Sequence, residues 1–234
     1  MKKVLIPTKL AAVARETLMA HGGYEVVQEE GTDLTTLAAS HADTHALIVR
    51  SEKVTAEVID ALPQLKVIVR AGAGYNTIDI KYARSRGADV MNTPGANANA
   101  VAEEVVALML ADARHLVPAD ISCRAGKWEK KHFMGREITG KTVGIVGFGA
   151  IGQLVAKRLS GFDVELLAYD PFLKDKSARD LGAEPVDLAV IFERADYISL
   201  HMPENDETRG IINRELISTM KEGATLINCA RAGI

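Results

Sequence analysis

"VGIVGFGAIG", residues Val143 to Gly152, decides the fold. An apolar, β-branched run leads into glycine, and "IGQLVAKRLS" after it sets apolar residues at helical spacing. Gly147, Gly149 and Gly152 stand in the spacing G-x-G-x-x-G. Alone, that spacing is a weak signal, because a glycine-rich turn is often only a tight turn. Between a strand and a helix it acquires a purpose. Gly147 makes the turn, Gly149 admits a pyrophosphate close to the backbone, and Gly152 allows close helix–strand packing. The amino terminus of the helix then faces the phosphate charge.

Asp170 ends the next apolar run, "ELLAYD", about 20 residues further on. A carboxylate there hydrogen-bonds the ribose hydroxyls of an adenosine and repels a 2′-phosphate, which predicts NAD over NADP. The structural alternative is an aspartate that caps a turn before Pro171. Beyond it, "DYISLHMP" and "ATLINCA" read as strands, with "EPVD" as a possible short one. Helices are expected at "KSARDLG", "DLAVIFERA" and "NRELISTM". A complete doubly wound dinucleotide fold has about six strands, so this lobe is expected to be incomplete at its carboxyl end.

Towards the amino terminus the same alternation recurs. "KVLIP", "YEVVQ", "HALIVR", "KVIVR" and "ADVMN" are strand candidates, separated by runs with apolar residues at helix spacing. Strand–helix repetition of this kind means a parallel sheet covered on both faces. The expected architecture is α/β, with two doubly wound parallel-sheet domains, flavodoxin-like and Rossmann, over residues 1–96 and 97–234. Thr93-Pro94-Gly95 breaks the pattern between them, and Asn97 or Asn99 is placed to cap the long helix that follows. "ISCRAGKWEKKHFMGREITGK" lacks clean periodicity and reads as a surface arm. Its Trp128, Phe133 and Met134 read as packing or subunit-interface anchors.

Two further stretches carry chemistry. "VRAGAGYNTID", Val69 to Asp79, puts two glycines in a short turn at a strand end, a nest of backbone N–H groups suited to a small anion. Arg70 stands beside it and Arg50 follows "HALIV", so two arginines at neighbouring strand ends suggest an acid-binding edge. Each also reads as a structural ion-pair partner. Arg231, in "NCARAGI", follows a similar strand in the second lobe. Its guanidinium is always charged and forked, suited to hold a 2-oxo acid while polarising the carbonyl that accepts hydride, if the lobes face each other across a cleft.

Composition excludes some classes. Lys and Arg total 28 against 31 Asp and Glu, a net charge of -3, which argues against nucleic-acid or polybasic membrane partners. The apolar run in "MKKVLIP" is too short for a signal-peptide core, and no stretch approaches the ~18 apolar residues of a membrane span. Cys123 and Cys229 form no metal-type spacing, so a cytoplasmic, disulfide-free chain is expected. His41 and His45 have i, i+4 spacing without the acidic residue of a zinc-protease motif, and no metal is expected.

Together, "LIVRS", "RAGAGYNTID", "MNTPGAN", "GKWEKKHFMGREITGKTVGIVGFGAIG", "YDP", "LHMPENDETRGIIN" and "NCARAG" resemble the NAD-dependent D-2-hydroxyacid dehydrogenases over essentially the whole chain. The "GKWEKKHFMG" arm looks most like the phosphoglycerate branch, which oxidises D-3-phosphoglycerate to 3-phosphohydroxypyruvate at the start of phosphorylated serine biosynthesis. The resemblance implies a substrate domain into which an NAD domain is inserted. Gly72, Ala73 and Gly74 would hold the substrate carboxylate. Arg50 and Lys130 would lie near its phosphate, with Lys130 reaching a partner subunit's site, and Ser51 and Arg70 would also bind the substrate. Gly147, Phe148, Gly149, Ala150, Ile151 and Gly152 would line the pyrophosphate, and Asp170 with Pro171 the ribose. His201, Met202, Pro203, Thr208, Cys229 and Ala230 would line the rest of the NAD. Arg231 would be the catalytic arginine and also touch the cofactor. A homodimer or homotetramer is implied, with the long helix and the arm at the interface.

The departures from the family pattern are specific. "ARGG" reads "ARAG", and Ala232 would be strained if that position needs positive φ. Asn76 stands where an acidic residue is common. The family's histidine–carboxylate dyad lies downstream of the arginine, and none of the six histidines here fills that role. A chain ending at Ile234 is therefore expected to be badly impaired, since acid–base catalysis contributes roughly 10²–10⁴-fold, and to expose an apolar sheet edge. The alternatives are another D-2-hydroxyacid dehydrogenase, such as a glyoxylate reductase, or a non-catalytic NAD-binding module.

Overall fold

Short β-branched and apolar runs give the strands of this chain, and polar residues that cap backbone N–H groups start many of its helices. The computed structural model describes residues 1–173 and 175–234. It divides into two units, Met1–Asn97 and Ala98–Ile234.

The first unit runs β1 (Lys2–Ile6), α1 (Ala12–Ala20), β2 (Tyr24–Gln28), α2 (Leu34–Ser40), β3 (Thr44–Val49), α3 (Ala56–Asp60), β4 (Val67–Arg70), α4 (Ile80–Ser85) and β5 (Asp89–Asn92). All five strands are parallel, in the order β2-β1-β3-β4-β5, the flavodoxin-like order. Side chains of Asp33, Thr55 and Asp79 accept first-turn N–H groups and start α2, α3 and α4. Leu5, Leu47, Leu62 and Ile68 are fully buried at the centre of the core. His41 and His45 do not share a helix face. His41 ends α2 and meets Glu29 at 3.1 Å, while His45 lies in β3 and accepts the Lys3 N–H. No cluster of metal-ligating side chains exists among the described residues.

The second unit runs α5 (Ala98–Ala113), α6 (Leu116–Arg124), a 3-10 turn (Lys130–Phe133), β6 (Thr142–Val146), α7 (Ala150–Leu159), β7 (Glu165–Tyr169), α8 (Asp175–Arg179), β8 (Ala183–Pro185), α9 (Leu188–Arg194), β9 (Tyr197–Leu200), α10 (Arg214–Ile217) and β10 (Thr225–Asn228). Its five parallel strands stand in the order β10-β9-β6-β7-β8. Counted from β6, that is 3-2-1-4-5 read from the far edge, the first five places of the Rossmann order. The short "EPVD" candidate is the fifth strand, β8. Strand residues alternate between two cores, as the period of two requires. Val143, Ile145 and Tyr197 pack with Val105 and Met109 of α5 and Val155 of α7. Val146, Ile198 and Leu200 pack on the other face with Ile191 and Phe192 of α9.

Two local expectations need correction. Asn99 is not a cap: α5 begins at Ala98, and the Asn99 side chain donates to Glu103 at 2.7 Å and also meets Arg158. The arm does not begin at Ile121, because α6 occupies Leu116–Arg124. Its apolar residues Leu116, Val117 and Ile121 face solvent and only Ser122 is buried, so the burial periodicity that reveals a helix is missing. Beyond α6, Trp128 is 85% exposed and Met134 79% exposed, so neither packs within the chain, while Phe133 is half-buried.

Candidate cofactor and acid-binding sites

The glycine turn of the second unit sits between β6 and α7, where the strand order reverses. Gly147 has φ +93, and its N–H donates to the Tyr169 carbonyl at 2.7 Å. A side chain there would meet the His201 carbonyl carbon at 2.8 Å and the Met202 nitrogen at 2.9 Å, so both conformation and space require glycine. A side chain at Gly152 would strike the Gly147 carbonyl, which is the close helix–turn contact expected of it. Gly149 differs from both. A Cβ there would meet nothing within 4 Å. The chain itself gives no reason for that glycine, whereas a group approaching from outside does.

Gly149 stands at the N-cap of α7 without a side-chain cap. Among the described residues the N–H groups of Gly149, Ala150 and Ile151 find no acceptor. These donors and the positive end of the helix suit a pyrophosphate. Phe148 contributes backbone alone, since its ring is buried in the core. Asp170 follows β7 and is bonded on both oxygens. One accepts the Phe148 N–H at 2.9 Å, and the other accepts the Phe172 N–H at 2.9 Å across Pro171. Both readings of Asp170 therefore meet in one group. It caps the turn, and since a carboxylate has about four acceptor sites, it keeps capacity for ribose hydroxyls.

His201 leaves β9 with its N–H on the Val146 carbonyl at 2.7 Å. Its Nε2 lies 2.8 Å from the Ser199 hydroxyl, and its Nδ1 is buried without a partner. Burial pushes the imidazole down to about 4, so it is neutral near pH 7. Met202 is buried and Pro203 exposed. Thr208 is tied into its own loop, donating to the Pro203 carbonyl and accepting the Asn205 N–H. At the end of β10, burial, with Glu104 nearby, pushes the Cys229 thiol up, so it is not an activated nucleophile. Asn228 frames the next turn by accepting the Ala230 N–H and donating to the Arg231 carbonyl, both at 3.0 Å. The exposed Arg231 guanidinium spends one N–H on the Ala230 carbonyl. Ala232 is not in the left-handed region, so alanine in place of glycine carries no strain there.

In the first unit, β3 and β4 pair with Val49 opposite Arg70, so Arg50 and Arg70 do stand at neighbouring carboxyl ends. Neither makes an ion pair among the described residues, and the Nε of Arg70 is buried without a partner. The Arg70 guanidinium fills the space where a side chain at Gly72 would lie. The Gly72 N–H turns back to the Arg70 carbonyl, and the Ala73 carbonyl accepts the Asn92 amide. The N–H groups of Ala73 and Gly74 have no acceptor among the described residues, which leaves an anion nest. Asn76 is exposed and supports no part of the turn. Glu52 was not singled out from the sequence; its carboxylate accepts the N–H groups of Arg50 and Ser51. Lys130 is exposed on the 3-10 turn of the second unit.

Residues 106–234 match the family model described as D-isomer specific 2-hydroxyacid dehydrogenase, NAD binding domain. The chain is 50% identical over 192 residues to a hydroxypyruvate reductase of Thermotoga maritima, covering 82% of this chain and 62% of that protein. It is 43% identical over 233 residues to a D-3-phosphoglycerate dehydrogenase of Mycobacterium leprae, covering 99% of this chain and 44% of that one. The chain thus spans about half the length of these curated relatives. A solved NAD-dependent formate dehydrogenase from Staphylococcus aureus, in complex with NAD, superimposes with a TM-score of 0.85 at 28% identity, covering 100% of this chain and 74% of that one. Glycine turn, strand order and family model agree on an NAD-binding second unit, and the chain belongs to the D-isomer-specific 2-hydroxyacid dehydrogenase family.

Proposed function

We propose that the chain serves the NAD-linked oxidation of D-3-phosphoglycerate to 3-phosphohydroxypyruvate, a reaction of serine biosynthesis. One observation carries the reading. Arg50 and Arg70, without carboxylate partners among the described residues, stand at neighbouring strand ends, and the Arg70 guanidinium lies against the turn that carries the N–H pair of Ala73 and Gly74. A substrate with a single carboxylate needs one such site, and a substrate with a phosphate as well uses both. In this reading Ala73 and Gly74 hold the carboxylate, and Arg50, Ser51 and Arg70 hold the phosphate, helped by Lys130 from a partner subunit. Arg231 orients the acid and polarises its C2 oxygen. When bound, NAD would supply the hydride acceptor for C2, with the hydroxyl proton leaving to a general base or to water. The α7 amino terminus holds its pyrophosphate and Asp170 its ribose. Pro171, Pro203 and Thr208 flank the adenosine, and His201, Met202, Cys229 and Ala230 the nicotinamide half. The two cysteines are free, which suits the cytoplasm, and no helix among the described residues is long and apolar enough to cross a membrane.

A second reading rests on Glu52. Its negative charge at the same edge disfavours a dianion, and the relative that is half identical is a hydroxypyruvate reductase. Calorimetric titration of the chain, saturated with NAD, separates the two. Binding of 3-phosphoglycerate at least about tenfold tighter than D-glycerate is expected, since each charge-assisted hydrogen bond contributes roughly that much. Equal affinities would move the assignment to the unphosphorylated acid.

A further inference from the structure

We infer that Glu52 is a specificity-determining residue: its carboxylate is a built-in anion that fills one of two neighbouring N–H cradles and leaves the other, at Ala73 and Gly74, for an incoming carboxylate. The inference rests on the acid-binding reading of this edge.

The two cradles differ in position: Arg50 and Ser51 are the first residues after β3, whereas Ala73 and Gly74 follow two further residues beyond the end of β4. Each lies just past the carboxyl end of a central parallel strand, β3 or β4, where the chain turns and ladder bonding stops. Beyond the end of β4 the N–H groups of Ala73 and Gly74 have no acceptor among the described residues. At the end of β3 the N–H groups of Arg50 and Ser51 are taken by one Glu52 oxygen, at 2.7 Å and 3.0 Å. Thr8 lies near this carboxylate, and the Gln28 side chain donates to the Thr8 carbonyl at 3.2 Å. Burial alone would raise the Glu52 carboxyl, but the N–H groups of Arg50, Glu52 and Ser51, with the Thr8 hydroxyl, outweigh it and hold it below the usual carboxylate range. It is therefore charged at neutral pH, and its hydrogen bonds are of the strong, charge-assisted kind.

The consequence concerns register. Without Glu52, an acid would find a second N–H pair at the adjacent strand end, beside an arginine, and could bind on either. With it, the β3 pair is filled and guarded by like charge. Only the side chains of Arg50 and Ser51 remain available there, while the β4 pair accepts the carboxylate. One orientation of the substrate follows.

The test follows backbone amide resonances of the ¹⁵N-labelled full chain during titration with inorganic phosphate and with 3-phosphoglycerate. In the native chain, 3-phosphoglycerate is expected to move Ala73 and Gly74, and inorganic phosphate to shift the Arg50 and Ser51 amides only weakly, through contact with their side chains. In Glu52→Ala those two amides respond strongly to inorganic phosphate, with affinity raised about tenfold or more. Glu52→Gln keeps an oxygen on the N–H pair and gains no such response, and its preserved spectrum guards against a misfolded alanine variant. If Ala73 and Gly74 respond to the acid but Arg50 and Ser51 respond no more in Glu52→Ala than in the native chain, Glu52 loses this role and the acid site stands. If Ala73 and Gly74 ignore the acid in every chain, the acid site and the inference fall together.

Discussion

Asp170 does two things with one carboxylate, and the sequence showed only that one of them had to be chosen. Its bonds to the N–H groups of Phe148 and Phe172 fix the glycine turn against the end of β7. Its charge is what an adenosine 2′-phosphate would meet. Asp170→Ala is expected to narrow the preference for NAD over NADP by tenfold or more, read from the two dissociation constants. An unchanged ratio would leave Asp170 a turn cap and nothing else. His201 gives a pH prediction. Its folded value of about 4 lies below the ordinary 6.5 because burial disfavours the charged ring. The unfolded chain therefore takes up the proton first. Stability from this group is complete above about pH 6.5 and is lost as pH falls towards 4, by up to about 3 kcal/mol. Urea midpoints at pH 7.5 and pH 5 should differ less in His201→Gln than in the native chain, and equal differences would refute the assignment. The glycines and Asp170 were legible because their spacing encodes a turn and a strand end. Glu52 was not, since a glutamate three residues past a strand looks like any surface charge until the backbone curls over it.

At the scale of elements, Arg136 holds the second unit's edge together. Its Nε donates to the hydroxyl of the fully buried Tyr197 at 2.8 Å, and its guanidinium lies over that ring at 5.2 Å. The remaining nitrogens reach Asp112 of α5, Thr225 of β10 and the Gly223 carbonyl, each at 3.2 Å. Arg136→Ala removes these bonds and a cation–π contact, and leaves the Tyr197 hydroxyl without this partner. A loss of roughly 2 kcal/mol is expected in chemical denaturation, against a fraction of that for Arg124→Ala, whose exposed pair with Asp120 lies within α6. Most elements could be read in advance, from apolar runs in the strands and apolar residues at helical spacing between them. The short β8 was readable as a possibility. What could not be read was α6, because a helix that shows its apolar residues to solvent has no buried stripe to report.

At the scale of the molecule, two similar alternations of strand and helix close into sheets of different order. Composition and periodicity give the layers, but the order depends on which way each crossover turns, and that resided in the family resemblance. The exposed apolar residues of α6 and the arm, Leu116, Val117, Ile121, Trp128 and Met134, find no cover within the chain. The partner subunit proposed above predicts that a second copy covers them. Sedimentation should show a homodimer or larger, and the pair Val117→Lys with Ile121→Lys should lower the mass towards one chain. A native chain that sediments as a monomer at micromolar concentration would refute the assignment. How much of the site could be read at this scale is limited for a plain reason. Arg231 and the glycine nest lie in different units, and a sequence pattern carries no information on the angle between them.

Gly149 sets folding and function at odds within a single residue. As the uncapped start of α7, with open space where a side chain would go, it invites serine, aspartate or asparagine, any of which would stabilise the helix by a few tenths of a kcal/mol. A library of this chain selected only for resistance to proteolysis would drift away from glycine at 149 while holding it at 147 and 152. The same library selected on immobilised NAD would keep all three. The difference between the two outcomes is a record, written in residue frequencies, of what the cofactor demands beyond what the fold does.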